Sequence, residues 1–139
     1  MQAIFLSISL GTEPRPLREW VRVLRRGGSL EIWLPDGLKI AQAFVTAETY
    51  GADDFNNDGW FPYNDEQDPC KWAAGRIFSV GDGTGNINHS NWHRAFFSPR
   101  FLKKCLEQAG LANVRRLDRT EVRGYDHGWI NLGMTGTKP

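Results

Sequence analysis

The stretch Leu17-Arg-Glu-Trp20-Val-Arg-Val-Leu24-Arg-Arg-Gly27-Gly28-Ser29-Leu-Glu-Ile-Trp33-Leu-Pro35-Asp36 decides the fold class. Leu17, Trp20, Val21 and Leu24 recur at i, i+3, i+4 and i+7, so they share one face of a helix. Arg18, Arg22, Arg25 and Arg26 fall on the other face, where solvent takes their charge. Gly27-Gly28 stops that helix, because glycine accepts the left-handed conformation a helix C-terminus requires. The β-prone run Ser29 to Leu34 follows at once. Pro35 closes it, and the Asp36 carboxylate can accept the orphan amide hydrogens of a new helix. That helix is expected from about Leu38 to Ala47, with Leu38, Ala41, Phe44 and Val45 inward.

Upstream, Ile4 to Leu10 is an apolar, β-prone run closed by Gly11. No basic residue precedes it, and it is too short for a signal core or a membrane span, so it reads as a buried strand. Pro14 and Pro16 introduce the helix. Downstream, residues from about Gly51 to Phe97 turn rich in Asp, Asn, Gly and aromatics, with a short helix or strand expected over Trp72 to Val80. Ser98-Pro99 then opens a helix whose apolar stripe is Phe101, Leu102, Cys105, Leu106 and Ala109, with Gly110 at its end. Two β-prone runs, Val114 to Val122 and Trp129 to Thr137, complete the chain. The order is β-α-β-α, long insert, α-β-β, which fits an α/β sheet finished by an antiparallel pair.

With 139 residues the chain suits a single domain. A formal net charge of +1 argues against a nucleic-acid footprint, and no segment reads as a membrane anchor. Two cysteines, Cys70 and Cys105, in no paired motif point to a reducing, cytoplasmic setting.

The run Leu17 to Asp36 resembles the segment "helix, R-V-L-K/R-P-G-G, strand, P-D" that follows the fourth strand of class I S-adenosylmethionine-dependent methyltransferases. A second run, Phe96-Phe-Ser98-Pro-Arg-Phe-Leu-Lys-Lys-Cys105-Leu-Glu-Gln-Ala-Gly110-Leu111, is similar to the segment before that family's closing β-hairpin. The two frame Leu17 to Lys138. The resemblance implies a partial Rossmann-like sheet of about four strands, a parallel pair followed by a C-terminal antiparallel hairpin, with helices mainly on one face. Ile4 to Leu10 would be the first of the parallel pair, and the opposite sheet face would be apolar and in need of cover. The family holds its cofactor on a Gly-x-Gly loop and an acidic residue after its first two strands. Neither has a counterpart here, so the chain is expected to be a truncated domain that binds no cofactor alone, with S-adenosylmethionine implied only by the family.

The expected role is therefore a small-molecule or partner-binding module. A pocket is expected near Asp36, Trp60, Trp92, His93 and Arg94, beyond the C-terminal end of the second strand, where open α/β sheets place ligands. Cutting the parent sheet at Ile4 to Leu10 would leave an edge strand, so a homodimer is expected, with that strand pairing across the two-fold axis. Two other readings compete: an active methyltransferase completed by a second chain or a rearranged dimer, and a structural protein with a calcium-stabilised loop. For the latter, Asp54, Asn56 and Asp58 match the first ligands of an EF-hand-like loop, with Asp65 at its twelfth position; an Asx-rich turn explains the same residues. Asp68-Pro69 argues against a helix leaving that loop promptly. Gly81-Asp-Gly-Thr-Gly85 reads as a turn, since it joins no clear strand to a helix. His89 and His93 are four apart but lack an evident third ligand, so no metal is expected. His93 can as readily order the loop before Ser98 as touch a ligand. Cys105 reads as a core residue.

Overall fold

A computed structural model describes residues 15–51, 64–78, 86, 88, 93, 95–123 and 126–139. Helix α1 spans Arg15–Val23, strand β1 Ser29–Pro35, helix α2 Gly37–Tyr50, helix α3 Pro69–Phe78, helix α4 Pro99–Gln108, strand β2 Ala112–Leu117 and strand β3 Asn131–Thr137. Two 3₁₀ turns, Arg119–Glu121 and Gly128–Ile130, connect β2 to β3. The described chain is α/β, with a three-stranded antiparallel sheet in the order β1-β3-β2. The expected parallel pair and fourth strand rest on Ile4 to Leu10, which lie outside the described residues.

The unit from α1 to β1 forms as its sequence pattern requires. Leu17 and Val21 are buried, and Trp20 and Leu24 pack at the margin of the same core. Gly27 adopts φ 73°, the conformation that lets the chain leave the helix and turn into β1. The turn is then tied to the far end of the chain. Gly27 N–H donates to the Lys138 carbonyl at 2.8 Å, and Lys138 N–H donates to the Gly28 carbonyl at 2.8 Å. The Lys138 ammonium donates to the carbonyls of Arg22 (2.9 Å) and Leu24 (2.7 Å), placing a cation on the negative end of α1.

Register assigns the two sheet faces. Ile32 lies opposite Met134 and Leu34 opposite Leu132, and these join Leu17, Val21, Leu102, Cys105 and Leu106 in the main core. Helices α1 and α4 cover this face. On the other face, Trp33 lies opposite Gly133 and Glu31 opposite Thr135, which in turn pairs with Arg115. Leu117 also lies opposite Gly133 and is buried, so among the described residues this face mixes polar and apolar side chains. Trp33 lies across Gly133 so closely that a Cβ there would sit 2.3 Å from its ring, and its indole N–H donates to Glu31 at 2.5 Å.

Three further expectations are corrected. Helix α2 does not join α1 over the sheet. It packs on α3 and the Gly128–Ile130 turn in a second core of Ile40, Ala47, Trp72, Ala73 and Ile130. Its inward face is Ile40, Ala43, Phe44 and Ala47, while Leu38 and Val45 are 48% and 61% exposed. The segment is apolar nearly all round, so periodicity alone could not select the stripe. Second, the short helix or strand expected over Trp72 to Val80 is a helix that begins earlier, at Pro69, and ends at Phe78. Pro69 fits the first turn, Asp68 accepts the Lys71 N–H at 3.0 Å, and buried Asn64 clasps both the N–H and the carbonyl of Asp68 at 3.0 Å. Third, β2 stops at Leu117. Asp118 caps a 3₁₀ turn by accepting from Thr120, while Glu121 reaches back to the Asp118 N–H. This reciprocal box ends the strand five residues before the sequence pattern suggested.

Helix α4 begins as expected, with Ser98 accepting the Phe101 N–H at 3.3 Å and Pro99 in the first turn. Leu102, Cys105 and Leu106 are buried. Phe101 is 38% exposed and stacks on Phe97 instead of entering the core.

Candidate functional site

Strands β1 and β2 both run antiparallel to β3, so they share a direction. Their carboxyl ends and the start of β3 meet at one edge of the sheet. Asp36, the turns between β2 and β3, and the segment before α4 gather there. This is the edge at which open α/β sheets place ligands.

Asp36 is 1% exposed, and its carboxylate is fully engaged by the fold. One oxygen accepts the N–H groups of Leu38 (2.9 Å) and Lys39 (3.3 Å), capping α2. The other accepts from the Arg116 guanidinium at 3.3 Å. Its backbone N–H donates to the Ile130 carbonyl, and that of Gly37 to the Phe97 carbonyl, each at 2.7 Å. A Cβ on Gly37 would lie 2.6 Å from the Phe96 ring and 2.8 Å from the Phe97 carbonyl, so three segments meet at a point that only glycine fits. Asp36 therefore locks the edge together and has no oxygen left for a ligand.

The chemistry lies beside it, on the Gly128–Ile130 turn. Asp126 accepts from the Gly128 N–H at 2.9 Å and the Asn131 amide at 3.1 Å, and the Arg119 guanidinium approaches at 3.4 Å. These bonds hold His127 and Trp129 in place. The Lys39 ammonium of α2 donates to the Trp129 carbonyl at 2.8 Å. The Trp129 ring lies parallel to Trp72 of α3, with centroids 6.0 Å apart and planes 4° apart. One helical turn beyond Trp72 is Arg76. His93 reaches the end of the same helix, where its N–H donates to the Phe78 carbonyl at 2.7 Å and its ring is hydrogen-bonded to the Ile77 backbone.

His93, Arg76 and His127 thus converge from three segments, close enough for their charges to interact. Burial pushes the His127 pKa down, and the positive charges of His93 and Arg76 push it further, to about 4, against the pull of Asp126. Burial also lowers the His93 pKa, opposed by its bond to the Ile77 backbone. The Trp129 indole N–H and the Asn131 amide oxygen are buried without a hydrogen-bond partner among the described residues. Such atoms carry a desolvation cost that a ligand can relieve.

Of the expected pocket residues, the structure places Asp36 in the fold and His93 in the cluster. Trp60, Trp92 and Arg94 lie outside the described residues, as do Asp54, Asn56, Asp58, His89 and Gly81 to Gly85. Asp65 sits in an exposed turn. Among the described residues, no group of three His, Cys, Asp or Glu side chains could hold a metal ion, and no helix is long and apolar enough to cross a membrane. Cys70 and Cys105 are both free; Cys105 is buried, which raises its thiol pKa. Sequence reasoning missed Arg76, His127 and Trp129. A usable signal existed in Trp72 and Arg76, four apart on one helix, and in Asp126-His127-Gly128, where an Asx turn fixes the histidine backbone.

No protein-family model, curated protein or solved structure matches the chain.

Proposed function

We propose that the chain is a methyltransferase-like small-molecule-binding module that takes its ligand at the carboxyl edge of β1 and β2, against Arg76, His93 and His127. The observation that carries this reading is the buried Trp129 indole N–H, which has no hydrogen-bond partner among the described residues and belongs to a ring stacked on Trp72 of α3; the charges of Arg76 and His93 act on the neighbouring His127. Two features support the methyltransferase-like part: the helix, Gly-Gly turn, strand and Asp cap from α1 to α2, and the closing antiparallel pair β2 and β3. The finer reading, a Rossmann-like sheet of four strands, adds Ile4 to Leu10 parallel to β1, whose outer edge has no strand partner among the described residues.

In the same reading the described residues hold no S-adenosylmethionine by themselves. They supply no glycine-rich loop between a strand and a helix, and the one buried carboxylate at this edge, Asp36, is consumed by the α2 cap and Arg116. In this reading the module is a binding protein that does not methylate alone. Calorimetry with S-adenosylmethionine and S-adenosylhomocysteine should show no saturable heat at millimolar ligand. Micromolar binding would overturn this and favour a methyltransferase completed by a second chain. A fragment screen followed by amide and indole NMR should give ligands that shift Trp129 and His127 together. A screen that shifts neither would remove the proposed site.

A further inference from the structure

We infer that the layer formed by α1 and α4 is a docking face for an anionic lipid bilayer. The inference is independent of the edge site.

A formal net charge of +1 hides how the charges are distributed. Residues 51–68 contain Asp53, Asp54, Asp58, Asp65, Glu66 and Asp68, with no lysine or arginine among them. The excess positive charge collects elsewhere. Helix α1 and the turn after it carry Arg18, Arg22, Arg25 and Arg26, and α4 carries Arg100, Lys103 and Lys104, all exposed. Both helices pack on the same sheet face, around Ile32 and Met134. A Cβ on Gly110, just past α4, would lie 3.9 Å from Val21 of α1. Two helices laid on one face of a sheet turn their solvent sides the same way, so these cations share one broad surface.

Little on that surface neutralises them. Glu19 pairs with Arg22 at 2.8 Å, and Glu107 approaches Lys103 at 3.8 Å. Arg25, Arg26, Arg100 and Lys104 have no carboxylate partner among the described residues. Helix stability does not account for the charges of α4. A helix favours anions at its amino end and cations at its carboxyl end. Helix α4 has the reverse: its first turn holds no acid, and Arg100, Lys103 and Lys104 all precede Glu107. The Lys103–Glu107 pair also puts the cation first, the weaker order for an i, i+4 pair. These cations work against their own helix, and an external anionic surface offsets that cost.

The exposed apolar side chains select the kind of anionic surface. Val23 is 67% exposed next to Arg22, and Phe101 is 38% exposed next to Arg100. A phosphodiester backbone offers neither of them anything. A lipid headgroup layer takes isolated apolar side chains toward the acyl boundary while the surrounding cations meet lipid phosphates and carboxylates. A single-stranded nucleic acid would instead reward an open aromatic ring for base stacking, and the Phe101 ring is already stacked on Phe97 with centroids 5.5 Å apart.

The test is cosedimentation of the full chain with phosphatidylcholine vesicles, with and without phosphatidylserine, at low and high salt. The chain should bind only the phosphatidylserine vesicles and should be released by salt. Arg25→Gln should weaken binding by about fivefold. Combining it with Arg26→Gln, Arg100→Gln and Lys104→Gln should weaken binding by about a hundredfold or more. Lys71→Gln, which removes a cation of α3, should leave binding unchanged. Val23→Ser should weaken it by about threefold at constant charge. The wild-type comparison needs no variant to fold. Equal sedimentation with both vesicle types, or with neither, would overturn the inference, as would equal losses for Lys71→Gln and Arg25→Gln. So would a duplex oligonucleotide that binds where the vesicles do not, or a salt-sensitive dimer without vesicle binding, since a polynucleotide or a second copy would then occupy the face.

Discussion

The strongest test of how this edge is built is Asp36. The sequence placed it in a pocket, whereas the structure uses it up in the fold. Removing it as Asp36→Ala takes away the acceptor of the Leu38 and Lys39 N–H groups and the partner of Arg116. Loss of an aspartate cap costs about 1 kcal/mol, within a range of roughly 0.5–2. The ion pair adds less than about 1 kcal/mol, because the Arg116 side chain is 48% exposed and solvent screens it. Asp36→Ala should therefore destabilise by about 2 kcal/mol, or roughly 8 °C in Tm at about 4 °C per kcal/mol for a domain of this size. Asp36→Asn keeps a cap of similar quality and loses only the charge, so it should cost about 1 kcal/mol or less. The assay is denaturant unfolding of both variants, of Arg116→Ala and of the double variant. The reasoning fails if Asn is as costly as Ala, because the cap would then not be the main contribution. It fails more deeply if Asp36→Ala leaves Tm unchanged and abolishes binding of a fragment ligand, since Asp36 would then belong to the site and not to the fold.

Three further outcomes follow from the same geometry. Gly133→Ala drives a Cβ into the Trp33 ring and should destabilise by about 1–3 kcal/mol; thermal melts should show most of that loss disappear in a Trp33→Ala background, and an equal loss in both backgrounds would refute the packing argument. The ordinary imidazole value of 6.5 falls to about 4 for His127 in the folded chain, so the unfolded chain binds more protons between those values. Stability from this group is thus fully present above about pH 6.5 and lost as pH falls toward 4; His93 shifts in the same direction. His127→Gln should flatten the acid limb of Tm against pH. Light scattering should give a mass twice the 15.8 kDa of one chain if Ile4 to Leu10 pairs across a two-fold axis, and a single-chain mass would remove that expectation.

The parts of the fold legible in the sequence were those where one local signal had no competitor. The α1 stripe of Leu17, Trp20, Val21 and Leu24 is flanked by arginines, so only one face could turn inward. Gly27 and Ser98 act within their own turns, through a positive φ and a single accepted N–H. The α2 stripe was not legible, because Leu38 and Val45 are as apolar as Ile40 and Phe44. Only the partner, Trp72 and Ile130 in distant segments, selects the buried side. The length of β2 failed for a related reason. Val114 to Val122 reads as one β-prone run until Asp118 and Glu121 close a reciprocal cap, and a strong local hydrogen-bond pair outweighs strand propensity.

The site divides along the same line. His93 and Asp36 carried local signals, a polar residue before a helix and a carboxylate after a strand. Asp36 meets two amide hydrogens and a guanidinium, so its charge is spent on structure. His127 sits 34 residues beyond His93 in sequence and reaches it only because Asp126 fixes the turn, Trp129 docks on Trp72, and α3 brings Arg76 and the Ile77 backbone to the same place. No spacing rule connects these segments, since each contact is set by packing between elements.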